Sequence, residues 1–209
     1  MNKTHKHILI IAVSFFMTLA TSAFADNQDK NSIQKVESYF KNLKTLQANF
    51  IQTDHNGGAL TGTFYLNRPG KLRFEYNENE DFIVADGASI FYYDSYMKQR
   101  SHMPLKNSLA FFVLQPDIDL FHDVSIQDIT QDDHFLNITL TLPDDPGAGS
   151  LTLGFVVFDN GRIHLKKWIV SDAQGLTTTV ALNNLKTDVT FDKNLFFYSD
   201  PNRGKNTFN

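Results

Sequence analysis

The sequence predicts a mainly β domain with few helices, in which about eleven short antiparallel strands form one strongly curved sheet. Three observations carry this. After Leu46 the hydrophobic period drops from the 3.6 of a helix to the 2 of a half-buried strand, and alternating runs then recur almost to the end of the chain. The links between most runs are hairpin-length turns, too short for the crossovers that parallel neighbours need. The 209-residue chain has no cysteine, so its core must hold without disulfides, and a domain of this size can bury about 70% of its unfolded surface.

The first element is a secretory address. Lys3, His5, Lys6 and His7 form a basic head, Ile8 to Leu19 an apolar stretch, and Ala23-Phe24-Ala25 an A-x-A cleavage signature before Asp26. The stretch falls short of the roughly 20 apolar residues that span a bilayer. Residues 1–25 are therefore expected to be a removed signal peptide and 26–209 a single exported domain. No cysteine follows the apolar stretch to carry a lipid anchor, so the product should be free in solution.

Asn31 to Leu46 reads as an amphipathic helix, with Ile33, Val36, Tyr39, Phe40, Leu43 and Leu46 on one side and Lys35, Glu37, Lys41 and Lys44 on the other. Asn31 can cap it, with Gln34 in the capping-box position. Strands follow around Phe50 and Gln52, then at Gly62 to Leu66, Leu72 to Tyr76, Phe82 to Ala85, Ile90 to Tyr93 and Met97 to His102. A second set covers Asp123 to Ile129, Phe135 to Leu142, Leu151 to Phe158, Ile163 to Ser171 and Leu176 to Leu182, with a weaker run at Leu195 to Tyr198. Asn160-Gly161 signals a type I′ hairpin, and Asp172-Ala173-Gln174-Gly175 closes the next one. Leu142 to Gly149, rich in Pro and Gly, is a hairpin tip.

Leu105 to Leu114 breaks the alternation. It follows Pro104, is mostly apolar, and reads as a short helix with Ser108 as a possible cap. Such a helix either plugs one end of a barrel or covers a cavity as a lid. The 19 Phe, with 7 Tyr and one Trp, fit either an aromatic-rich core or a lined cavity.

The formal net charge is −4 and becomes −6 once Lys3 and Lys6 leave with the signal. An acidic surface without a basic run argues against nucleic-acid binding, because phosphate neutralisation needs clustered Lys and Arg. No catalytic constellation emerges either. There is no thiol, no G-x-S-x-G elbow, no phosphate loop at Gly147-Ala148-Gly149 and no H-x-x-x-H pair. His122-Asp123 and Asp132-Asp133-His134 could each offer two metal ligands, but both read as solvated strand ends. Glu75 reads as a cross-strand partner for Arg73 or another cation. The expectation is a protein without catalytic residue, metal or cofactor.

Several segments in order resemble the LolA family of periplasmic lipoprotein carriers. These are Arg68-Pro69-Gly70-Lys71-Leu72-Arg73-Phe74-Glu75-Tyr76, then Asp86-Gly87, Phe91-Tyr92-Tyr93-Asp94 and Gln99, then Asp172-Ala173-Gln174-Gly175, and Phe196-Phe197 before Pro201. The resemblance covers nearly all of 26–209. It implies an incomplete, unclosed antiparallel β-barrel of about eleven strands around an apolar cavity covered by a helical lid. It implies a monomeric periplasmic chaperone that takes acylated lipoproteins from an inner-membrane ABC-type release complex to an outer-membrane acceptor lipoprotein. Arg68 matches the arginine to which lid closure is attributed. On that basis Phe64, Leu66, Leu72, Phe74, Tyr92, Leu140 and Phe155 are expected to line the acyl-chain cavity, and Arg68, Leu109, Phe111, Phe112 and Val113 to form or hold the lid. A one-residue error of register would invert any of these faces. The alternatives are a carrier of another lipid, a hydrolase of acylated substrates working through a His/Asp pair, and an envelope-stress sensing module.

Overall fold

The computed structural model describes residues 21–201, with side chains from residue 28 onward. The expected signal peptide lies outside the described residues except for Thr21 to Ala25, which are helical backbone. Helix α1 runs from Thr21 to Asn42, so it starts ten residues before the expected cap and stops earlier. No Pro or Gly interrupts the stretch before Asn31, which leaves the helix free to continue through it. It ends where the chain turns into the first strand. Leu43 and Leu46 lie beyond that end but are buried with Ile33, Val36 and Phe40, so the apolar stripe crosses the helix boundary.

Eleven strands follow: β1 (Thr45–Thr53), β2 (Ala59–Asn67), β3 (Lys71–Tyr76), β4 (Phe82–Asp86), β5 (Ser89–Asp94), β6 (Gln99–Pro104), β7 (Ser125–Gln131), β8 (Phe135–Thr141), β9 (Gly149–Val157), β10 (Ile163–Asp172) and β11 (Thr177–Thr187). They form one antiparallel sheet in the order β6-β5-β4-β3-β2-β1-β11-β10-β9-β8-β7. Every neighbour is a sequence neighbour except the β1–β11 pair, which joins the two halves. β6 and β7 end the sheet without pairing to each other, so the barrel is unclosed. Bulges at Asn184-Leu185, opposite Ala48, and at Gln127 and Lys166 interrupt the ladders and add the local twist that curls the sheet.

Leu195 to Tyr198 is not a strand; it is a turn. Its aromatics lie on the outer face of the first half-sheet. Tyr198 stacks on Phe91 at 5.2 Å and packs on Phe82 at 5.8 Å, and Phe196 meets Phe191 edge-on. Arg73 links the two layers: its guanidinium lies 4.6 Å from the Phe82 ring centroid and donates to the Leu195 carbonyl at 3.5 Å. Glu75 accepts from Arg73 Nε at 2.6 Å along the same strand and from the Tyr65 hydroxyl across strands at 3.3 Å.

The turn at Asn160-Gly161 also differs from expectation. Gly161 N donates to Phe158 O, and Gly161 has φ of 76°, but Asn160 is not in the left-handed region. A type I′ turn needs both central residues there, so this is a type I turn ending in a left-handed Gly. Asp54 to Gly57 and Asp172 to Gly175 repeat that geometry. Inside the sheet, Gly62 answers a different need. A Cβ there would lie 2.0 Å from the Glu75 carbonyl and 2.6 Å from the Phe50 ring.

Candidate functional site

The inward faces of the strands follow from simple alternation. Phe64 and Leu66 of β2, Leu72 and Phe74 of β3, Ile83 of β4, and Ile90 and Tyr92 of β5 point to the concave side. Across from them stand Leu151 and Leu153 of β9, Leu165, Trp168 and Val170 of β10, and Val180 of β11. Together with Phe40 of α1 they bound a cavity of about 470 Å³. Aromatic rings make up much of the wall: Phe64 lies 4.7 Å from Phe74 and 5.3 Å from Trp168, and Phe50 packs behind Phe74 at 5.2 Å. A larger cleft lies between α1 and the β9–β10 turn, but its rim of Asn31, Lys35, Ser38, Arg162 and His164 is polar surface. The apolar cavity is the better candidate, because a small number of polar groups in an apolar enclosure is what a ligand site needs.

The expected helix over Leu105 to Leu114 is two shorter pieces. A 3₁₀ turn at Leu105–Asn107 is followed by helix α2, Phe111–Leu114. The Ser108 hydroxyl donates to Leu105 O, and its amide donates to the same carbonyl. Ser108 therefore closes the first piece and interrupts the run. Leu109, Ala110 and Val113 face the cavity. Phe112 and Leu114 are buried in the main core and Phe111 is half-buried against it.

Both ends of this segment are tied down. Leu105 N donates to Ala88 O at 2.9 Å, and Gly70 N donates to Leu114 O at 2.8 Å. Arg68 completes the second tie: Nη2 donates to Gln115 O at 2.7 Å and Nη1 to Leu43 O at 3.5 Å, with the guanidinium 5.7 Å from the Phe40 ring centroid. At 8% exposure, Arg68 is not the solvated turn residue that an R-P-G sequence alone suggests. Burial pulls its pKa down, against the opposing pull of Asp117. Its buried Nε has no hydrogen-bond partner among the described residues.

Of the residues expected in the cavity wall, Phe64, Leu66, Leu72, Phe74 and Tyr92 are there. Leu140 and Phe155 face the same interior but pack elsewhere: Phe155 lies under α1, 5.4 Å from Tyr39 and 6.1 Å from Phe40, and Leu140 is fully buried in the core. Sequence reasoning missed Trp168. The bulge at Lys166 puts Leu165 and Trp168 on one face although they are three residues apart, which strict alternation forbids. It also missed Gln52, Tyr76 and Asp81, which with Tyr92 and Thr178 supply the polar groups of a mostly apolar wall.

The two His/Asp groups lie outside the cavity wall. His122 Nδ1 is 2.7 Å from Asp119 Oδ2, while Asp123 accepts from Gln115. Asp132 accepts from the His134 and Phe135 amides in a turn. No group of three or more His, Asp or Glu side chains that could hold a metal forms among the described residues. Nor is any described helix long and apolar enough to cross a membrane.

The sequence profile of the family described as "Outer membrane lipoprotein carrier protein LolA" matches residues 41–199. A protein of Methylococcus capsulatus named outer-membrane lipoprotein carrier protein is 27% identical over 85% of this chain and 88% of its own length. One of the same name from Xanthomonas campestris is 28% identical over 90% and 93%. The solved structure of a LolA superfamily protein from Nitrosomonas europaea is similar at a TM-score of 0.46 and 12% identity, over 79% of this chain and 96% of that one.

Proposed function

The chain belongs to the LolA family, and from that premise we propose that it is a periplasmic chaperone whose apolar cavity receives the acyl chains of lipoproteins. The cargo would be taken from an inner-membrane release complex of the ABC type and delivered to the outer membrane, to an acceptor lipoprotein there. The observation that carries this reading is the apolar enclosure walled by Phe64, Leu66, Leu72, Phe74 and Trp168 and covered on one side by Leu109 and Val113.

The energetics suit a carrier. Each CH₂ taken out of water contributes about 0.8 kcal/mol, so an acyl chain of roughly sixteen carbons needs shelter worth more than about ten. Non-covalent affinity saturates near about −20 kcal/mol, and a site that kept all the energy of several chains would never release them. Release needs an opposing cost, and the segment from Leu105 to Gln115 supplies one. Entry of a chain must displace Leu109 and Val113 from their apolar contacts and strain the ties at Arg68 and Gly70. The tie at Arg68 is not fully satisfied, since its Nε is buried without a partner among the described residues, which lowers the cost of letting go.

The test is to add the purified domain to spheroplasts. Newly made outer-membrane lipoproteins should appear in the supernatant as a soluble one-to-one complex. Arg68→Leu removes both carbonyl ties and should slow onward transfer of the bound cargo by about ten-fold or more, as expected for two hydrogen bonds to a charged group. Unchanged transfer would sink the latch role. No release by the parent protein, with phospholipid found in its extract, would point to a carrier of another lipid.

A further inference from the structure

The cavity wall is graded from one end to the other. At the Arg68 end it is carbon: Leu66, Leu72, Ile90, Leu109 and Val113. At the opposite end, level with the β1–β2 turn, it carries two hydrogen-bonded polar pairs. The Tyr76 hydroxyl donates to Gln52 Oε1 at 2.9 Å, and the Tyr92 hydroxyl donates to Asp81 Oδ2 at 3.2 Å. Strand register brings the first pair together, with Gln52 opposite Leu60 and Gly62 opposite Tyr76.

The two pairs differ in what they leave over. Asp81 is saturated: Oδ1 accepts from the Ser95 amide at 2.8 Å and the Ser95 hydroxyl at 2.6 Å, and Oδ2 accepts from Asn79 as well as Tyr92. Gln52 and Tyr76 together hold three polar hydrogens, and their mutual bond uses one. Gln52 Nε2 donates to no other group among the described residues. Whichever way the carboxamide is turned, the pair keeps at least one donor beside an apolar enclosure, next to a carboxylate that offers no donor.

Resting on the carrier reading of this same cavity, we propose that Gln52, oriented by Tyr76, hydrogen-bonds the carbonyl oxygen of an acyl ester or amide. Asp81 then discriminates against a free fatty acid. A carbonyl accepts and carries no charge, so it suits a donor at the end of an apolar channel. A carboxylate there would face Asp81, whose charge repels it in a partly desolvated site. The chain extends toward Leu109 and Val113, and the rest of the cargo leaves past Tyr92, which is 39% exposed.

The experiment is displacement of a fluorescent alkyl probe from the mature domain at pH 8 by three ligands with the same alkyl length. These are monopalmitoyl glycerol, its ether counterpart hexadecyl glycerol, which lacks the carbonyl, and palmitate. The parent protein should prefer the ester over the ether by about five-fold, the size of one neutral hydrogen bond, and palmitate should be the weakest. Gln52→Leu, and Gln52→Met as the variant of matched length, should bring ester and ether within about two-fold of each other. Their ether affinity should stay at the parent value, which reports an intact cavity. Equal binding of ester and ether by the parent, or a preference that survives both substitutions, overturns the carbonyl site and leaves the carrier reading standing. Palmitate binding as tightly as the ester overturns the role of Asp81. Binding of none of the three overturns both readings.

Discussion

Strands β3 to β5 carry apolar and aromatic side chains on both faces, and the two faces end differently. Inward, Leu72, Phe74, Ile83, Ile90 and Tyr92 bound a void. Outward, Phe82, Val84 and Tyr93 form a closed cluster with Phe91 and Tyr198. What differs is the layer opposite. The outer face is covered by the segment around Phe191 to Tyr198, whose rings reach it at 5.2 to 5.8 Å. The inner face looks across the sheet's own curvature to β9 and β10. Among the described residues, the short Leu105 to Leu114 segment and Phe40 enter that space from outside the sheet, and they do not fill it. An aromatic residue in this protein therefore packs or lines according to whether another chain segment lies over it.

Four changes probe that difference. Gly62→Val should have the largest effect, because its side chain would collide with the Glu75 carbonyl and the Phe50 ring on the inner wall. A loss of about 4 kcal/mol or outright failure to fold is expected, read as soluble yield and urea midpoint. Next is Phe196→Ala on the outer cover. Phe196 is 2% exposed, and its removal should cost about 3 kcal/mol and lower Tm by roughly 10 °C, while ligand displacement from the cavity is kept.

A matched pair sharpens the contrast further. Leu153→Phe adds volume on the inner side, where there is room, and should change stability by less than about 1 kcal/mol while weakening ligand uptake. Val84→Phe adds volume to a fully buried outer position and should cost about 1–3 kcal/mol. If both substitutions cost the same in urea unfolding, the inner face is as tightly packed as the outer one and the cavity reading fails.

The fold was legible because the period of 2 persists through nearly every strand and the turns announce themselves with Gly and Asn. Single positions were less so. Phe64, Leu66, Leu72, Phe74 and Tyr92 lie where alternation puts them. Trp168 does not, because a bulge is a one-residue insertion that no side-chain pattern reveals. Depth along a strand is equally hidden: Leu153 and Phe155 share a face, yet one meets the void and the other lies under α1. The segment at Leu105 to Leu114 was recognisable as non-strand from its unbroken apolar run. Its division at Ser108 follows from a side-chain bond to Leu105 O that competes with helix continuation. Leu195 to Tyr198 resembled a strand because aromatic residues favour strands, but what it satisfies is packing on an outer face already paired within the sheet.

The last expected effect, confined to alkaline pH, concerns the two phenols of the inner wall. Desolvation pushes Tyr76 up to about 12, helped by the nearby Tyr92 and Asp81 and opposed by Gln52, whose carboxamide can turn its N–H toward the phenolate. Desolvation also pushes Tyr92 up to about 12, followed by the charge of Asp81 and the hydrogen bond to it. A phenol whose folded pKa lies above its ordinary value of 10.0 releases its proton more readily when unfolded. Its stabilising share is complete below that value and is lost as the pH rises through the folded one. Tyr92 is 39% exposed, so solvent screens its part and Tyr76 should dominate. Urea unfolding followed from neutral pH into that alkaline window should show a stability decline of up to about 2 kcal/mol attributable to Tyr76. In Tyr76→Phe the decline should be correspondingly shallower, at the cost of the bond to Gln52 at every pH. Superimposable alkaline profiles for parent and variant would mean that this end of the cavity is as wet as the protein surface, and that the inner wall is apolar only toward Arg68.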